Sequence, residues 1–114
     1  MSKINARAFL DRLYCREAEY WSLPNHSRKK TAAKAIGASR CLKSLRAGVD
    51  PAEIPKADRH DLAALCHMGR SRLEMQGGIL LLKRGKETWE LDLWEVLMAE
   101  MARPQQKFEL GESA

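Results

Sequence analysis

Apolar residues recur at helical spacing along most of this chain, and this spacing predicts amphipathic helices. The first helix is predicted over residues 3–21, and Leu23-Pro24 ends it because proline disfavours helical geometry in the residue before it. The last helix is predicted to open at Asp92, with a capping carboxylate, and to stop at Pro104. Helices are therefore expected at both ends of the folded part of the chain.

Two further helices are expected between these. The second runs from an N-cap at Ser27 to Ala47, where Gly48 supplies a left-handed stop. The third opens with Asp58 as its cap and ends at Gly77-Gly78, so that Leu62, Leu65, Cys66 and Leu73 form its apolar face. A connector over 49–55 has room for one helical turn.

Gly37 leaves the second helix open to two interpretations. A glycine inside a helix costs about 1 kcal/mol relative to alanine, so residues 28–47 form either one helix or two that meet at Gly37. The run Gly37-Ala38-Ser39, preceded by Ala32-Ala33, resembles a helix-turn-helix, in which the serine opens the recognition helix. In that arrangement a following hairpin would be the wing.

The spacing of apolar residues changes after Gly78. Residues 79–83 and 87–91 read as two short strands that flank Arg84-Gly85-Lys86, a hairpin turn. Trp89 and Trp94 are expected to pack this hairpin against the last helix. The predicted fold class is mainly α with one β-hairpin, a small single-domain helical bundle with a winged-helix-like variant. Residues 1–104 would form the domain, and 105–114 a mobile polar tail.

Composition and spacing argue against several classes of protein. The longest apolar run, 79–82, is far too short to span a membrane, and charged residues interrupt the N-terminal segment that a signal peptide would need. Three widely spaced cysteines indicate reduced thiols and a cytoplasmic location. No metal-ligand spacing, phosphate-binding glycine loop or serine nucleophile motif is present, so neither a cofactor nor an enzymatic activity is predicted.

Charge is distributed unevenly along the chain. Residues 1–49 contain 11 Lys or Arg and 3 Asp or Glu, whereas residues 50–114 contain 9 and 12. No acidic residue occurs from Ser22 to Val49, and no basic residue from Glu87 to Met101. Such asymmetry indicates charged partners.

The basic residues form the candidate binding site. We expect two clusters, one along the second helix and one at the hairpin tip, to contact phosphates with release of counterions. They are Arg28, Lys29, Lys30, Lys34, Arg40, Lys43 and Arg46, then Lys83, Arg84 and Lys86. The alternative is that these bases only form a solvated face, or dock on the acidic segment of their own fold.

Two functions fit this charge distribution. The first is a small nucleic-acid-binding or nucleic-acid-associated protein, for DNA or RNA, which faces its acidic half away or self-associates through it as a homodimer. The second is an inhibitor or adaptor that binds a nucleic-acid-processing enzyme, as small accessory phage proteins do. The acidic, Met-rich last helix offers Leu97, Met98 and Met101 either to the core, the assignment we prefer, or to a partner helix.

Overall fold

A computed structural model of the protein describes residues 2–24 and 30–103. These residues include four helices and four strands. One 3-10 turn, Pro51–Glu53, lies between the second and third helices. In chain order they are β1 (Ser2–Lys3), α1 (Ala6–Ser22), α2 (Lys30–Arg46), α3 (Lys56–Leu65), β2 (Arg72–Gln76), β3 (Ile79–Arg84), β4 (Glu87–Asp92) and α4 (Leu93–Met101). The protein is thus mainly helical with a mixed sheet.

The sheet is a meander with an added parallel strand. Its order is β1-β4-β3-β2, in which β2, β3 and β4 are antiparallel neighbours and β1 runs parallel to β4. Alternation along the strands points Leu80, Leu82 and Leu91 into the core shared with the helices. Glu74 and Glu90 flank Leu81 on the opposite face. The helices therefore cover one face of the sheet.

The predicted hairpin forms as β3 and β4, but the expectation of a single hairpin was wrong, because the sheet has four strands. Residues 72–76, which we expected in the third helix, form β2 and pair with β3. Gly77 and Gly78, at φ 55° and 86°, are the two-residue turn of this hairpin rather than a helix stop. Leu73 fits both the helical spacing from Leu62 and the alternation of a strand. Periodicity alone could not distinguish the two, and we placed the residue in the helix.

The helix boundaries differ from the prediction at two places. Helix α3 ends at Leu65, and His67 at φ 58° shows why it cannot continue, since a left-handed residue breaks helical geometry. Asp58 is buried within α3 and is not its cap, which is Pro55. At the N-terminus Ser2–Lys3 pairs with β4 instead of opening the first helix.

Helix α2 is continuous through Gly37, which answers the question that the sequence left open. A Cβ atom on Gly37 would lie 2.0 Å from Oδ2 and 3.1 Å from Cβ of Asp61 in α3. The glycine therefore permits close approach of two helices, and the helix-turn-helix that this run of residues resembles does not form. The predicted cap at Ser27 lies outside the described residues. Gly48, at φ 86°, follows the end of the helix as predicted.

Helix α4 begins as predicted, but its exposed face differs from the prediction. Asp92 caps it by accepting hydrogen bonds from the backbone N–H groups of Trp94, at 2.9 Å, and Glu95, at 3.3 Å. Only Leu93 and Val96 of this helix are buried. Trp94 is 66% exposed, so the expected packing of its ring against the hairpin is wrong, whereas Trp89 packs against the core. Pro104 and the predicted tail lie outside the described residues.

Among the described helices, none is long and apolar enough to cross a membrane.

The three cysteines are free thiols with very different exposure. Cys41 and Cys66 are buried, and burial raises the pKa of each thiol to about 12, whereas Cys15 is exposed. Because the thiolate is the reactive form, we expect an alkylating reagent to label only Cys15 in the folded protein and all three residues in denaturant without reductant. Mass spectrometry of the labelled peptides checks this. Rapid labelling of Cys66 under native conditions would contradict the packing described here.

Candidate functional site

Four of the predicted site residues form ion pairs within the protein. Arg46 pairs with Glu100 of α4, Lys83 with Glu74 at 2.8 Å, and Arg84 with Glu87 at 3.0 Å. Arg84 also donates to the backbone oxygen of Gly69 at 3.0 Å. The fourth, Arg40, donates to both carboxylate oxygens of Asp58, at 3.3 and 3.1 Å. The charge of these four residues is balanced by their own fold.

Asp58 explains why Arg40 is held in place. The Asp58 side chain is only 11% exposed, whereas that of Arg40 is 63% exposed, so the guanidinium covers a buried carboxylate at the surface between α2 and α3. Asp61 lies close by, and burial together with the charge of Asp58 raises its pKa. Lys34 and Arg40 oppose that shift. Arg40 thus has a structural partner that a phosphate would have to displace.

The remaining predicted bases do not form one ridge. In the part of the chain that the structure describes, Lys30, Lys34, Lys43 and Lys86 are exposed and have no ion-pair partner. Lys30 and Lys34 are one turn apart on the same face of α2. Lys43 follows Lys34 by nine residues and so lies about 180° around the helix. Arg28 and Lys29 lie outside the described residues.

A different surface is formed by the outer face of α4. Trp94, Met98 and Met101 are 66%, 48% and 72% exposed, and their spacing of four and three residues places them on one side of the helix. We call these three residues the α4 face. Large apolar side chains scattered singly are ordinary, whereas these three lie together and form one contiguous apolar patch on the helix.

Three sets of contacts fix α4 on the protein and leave its outer face open. Lys3 pairs with Glu95 at 2.9 Å, and Arg46 pairs with Glu100. Arg103, just after the helix, pairs with Asp11 of α1 and lies over the ring of Tyr14 at 4.4 Å. The charged residues of α4 are therefore used for intramolecular contacts. What remains on the outside is apolar.

The sequence contained a signal for this face. The pattern i, i+4, i+7 is visible in it, but apolar spacing on a helix is the same whether the stripe faces the core or a partner. Our preference for the core was wrong for Met98 and Met101, because the shorter stripe of Leu93 and Val96 contacts the core instead.

No set of three His, Cys, Asp or Glu side chains within residues 2–24 and 30–103 converges as a metal site. Comparison of the chain with protein-family models, with curated proteins and with solved structures finds no significant match.

Proposed function

We propose that this chain is a protein-binding accessory protein, an adaptor or inhibitor, that binds its partner through the α4 face. The observation that carries the proposal is the alignment of Trp94, Met98 and Met101, each at least 48% exposed, along one side of a firmly anchored helix. Tryptophan and methionine suit this role, since tryptophan is enriched among the residues that dominate binding energy and methionine adapts to varied surfaces.

The charges around the α4 face indicate how the partner is recognised. Glu95 and Glu100 are the acidic residues within the helix, and Lys3 and Arg46 already balance them. A partner therefore meets a surface without an unbalanced charge at these positions. Recognition would then depend on apolar contact, and its affinity would change little with salt.

The size of the face indicates the shape of the partner. The three side chains together expose a surface area on the order of 400 Å². This is about half of the area that each partner contributes to a standard interface. A second copy of the chain laid flat on α4 would bury too little for a stable dimer. A groove that covers the outer face and also the flanks of α4 would bury more, so we assign the partner as a protein with an apolar groove that accepts the exposed side of a helix.

The proposal is tested by capture from nuclease-treated cell extract with three forms of the protein. Wild type and Trp21→Ser should capture the same partner, because Trp21, 62% exposed on α1, is a matched tryptophan outside the α4 face. Trp94→Ser should lose it while keeping the fold. The captured protein must then bind wild type saturably when purified. Sedimentation of the chain alone distinguishes a homodimer, and a dimer that Trp94→Ser dissolves would contradict the assignment of a partner with a groove.

Nucleic-acid binding is the second candidate, favoured by the unpaired Lys30 and Lys34 on one face of α2. If these residues neutralise phosphates, the Lys30→Gln/Lys34→Gln variant should reduce the slope of log affinity against log salt by about 1.8, at roughly 0.9 per duplex phosphate. Lys43→Gln, on the other side of the helix, is the matched control and should leave the slope unchanged. Fluorescence anisotropy with labelled duplex DNA measures both. Equal slopes for all three proteins would contradict this candidate.

A further inference from the structure

A groove runs along the free edge of the sheet, away from the α4 face. It has a volume of about 630 Å³, and all five residues of β2 line it on one side. The other side is formed by the end of α2 and by residues 48–52, which lead into the 3-10 turn. Among the strands of residues 2–24 and 30–103, β2 has a neighbour only in β3. The groove therefore lies beside backbone that can pair with another strand.

Arg59 of α3 lines this groove and lacks a partner for its charge. Its Nε atom is buried and has no hydrogen-bond partner, and no carboxylate among the described residues forms an ion pair with it. A buried donor without a partner is uncommon in folded proteins, because the lost hydration is not replaced. Arg59 thus brings to the groove a positive charge that has no ion-pair partner among the described residues.

The acidic residues beside Arg59 are already engaged. The Asp50 carboxylate accepts from the backbone N–H of Ala52 at 2.9 Å and caps the 3-10 turn. The Glu74 carboxylate lies 2.8 Å from Lys83, and this contact lowers the pKa of Glu74. Neither of them forms an ion pair with Arg59. A ligand that supplies a carboxylate would therefore complete the hydrogen bonds of this groove.

We propose that this groove binds an extended acidic peptide segment, which adds a strand to the free edge of β2 and places a carboxylate on Arg59. Addition of a strand uses the N–H and C=O groups that alternate residues of β2 direct away from β3, along the groove. A rotamer change of Arg59 brings its guanidinium onto the carboxylate in a two-pronged contact. Five residues of β2 match a ligand segment of about 16 Å.

The test uses the whole chain and a blocked eight-residue peptide of alternating Glu and Val, followed by amide NMR. We expect saturable shifts confined to residues 48–52, Arg59 and residues 72–76, and binding at least tenfold weaker for the same peptide with Gln in place of Glu. Arg59→Met should abolish binding without lowering the melting temperature, because it removes an unpaired donor. Lys43→Met, which removes an exposed charge outside the groove, and Trp94→Ser, which changes only the α4 face, should bind as wild type does.

Several results would overturn the proposal. These are equal affinity for the Glu and Gln peptides, unchanged binding by Arg59→Met, and no saturable shift up to about 1 mM peptide, the range of weak specific binding. Inorganic phosphate that shifts the same amides and displaces the peptide would show a small-anion site instead. If Arg59→Met fails to fold, Arg59→Lys replaces it. The lysine keeps the charge but loses the planar fork, and tenfold weaker peptide binding is then expected.

Discussion

Replacement of Arg40 by methionine is expected to lower the midpoint of thermal unfolding by roughly 5 °C, although most of the Arg40 side chain is exposed. The loss arises at Asp58, whose carboxylate stays buried between α2 and α3 after its partner has gone. A buried charge without a partner destabilises a fold more than the ion pair stabilised it. Differential scanning calorimetry at neutral pH measures the change.

Two further variants separate this effect from a simple loss of positive charge. Lys43→Met removes a base that is exposed and unpaired on the same helix, so its unfolding midpoint should stay close to that of wild type. Arg40→Met/Asp58→Leu removes both charges and should recover most of the lost stability. Equal destabilisation by Arg40→Met and Lys43→Met would show that the Asp58 contact does not hold the two helices together.

Gly37→Ala should destabilise the protein by about 1–2 kcal/mol, the opposite of the usual effect of this substitution in a helix. Alanine gains about 1 kcal/mol in helix propensity. The new methyl group, however, would lie 2.0 Å from Oδ2 and 2.9 Å from Cγ of Asp61, so the Asp61 side chain or α3 has to move. Overpacking of this kind costs about 1–3 kcal/mol, and urea unfolding measures the balance.

A double-mutant cycle identifies the contact responsible for that loss. In Asp61→Ala the two atoms nearest to the new methyl group are absent, so Gly37→Ala should then cost much less than it does in wild type. The loss of unfolding free energy caused by Gly37→Ala should be about 1 kcal/mol smaller in Asp61→Ala than in wild type. A cost of Gly37→Ala that does not depend on residue 61 would contradict the close approach of α2 and α3.

Features set by neighbouring residues could be predicted from the sequence. Asp92 precedes an apolar run and has Glu95 three residues later, and the cap forms with both N–H groups of that first turn. The turn at Gly85 follows from glycine between two apolar runs. Each of these depends on a few adjacent residues and their intrinsic geometry. The bounds of α1 and α2 follow for the same reason to within a few residues.

Features that depend on distant residues could not be predicted in this way. Arg40 and Asp58 are 18 residues apart, and Arg46 and Glu100 are 54 apart, so nothing in the local pattern indicates that these bases are paired. Leu73 fits two periodicities at once, and only its pairing with Leu82 decides for a strand. The candidate site moved from the basic residues to the α4 face for this reason. The sequence shows the basic residues, but it does not show which acidic residues pair with them.

The most direct test of the account is the affinity of the purified partner for three forms of the protein, measured by calorimetry at low and at high salt. Binding through the α4 face predicts at least tenfold weaker binding for Trp94→Ser, wild-type affinity for Trp21→Ser, and little change between about 50 and 500 mM salt. Unchanged binding by Trp94→Ser, or an affinity that falls by orders of magnitude as salt rises, would contradict it.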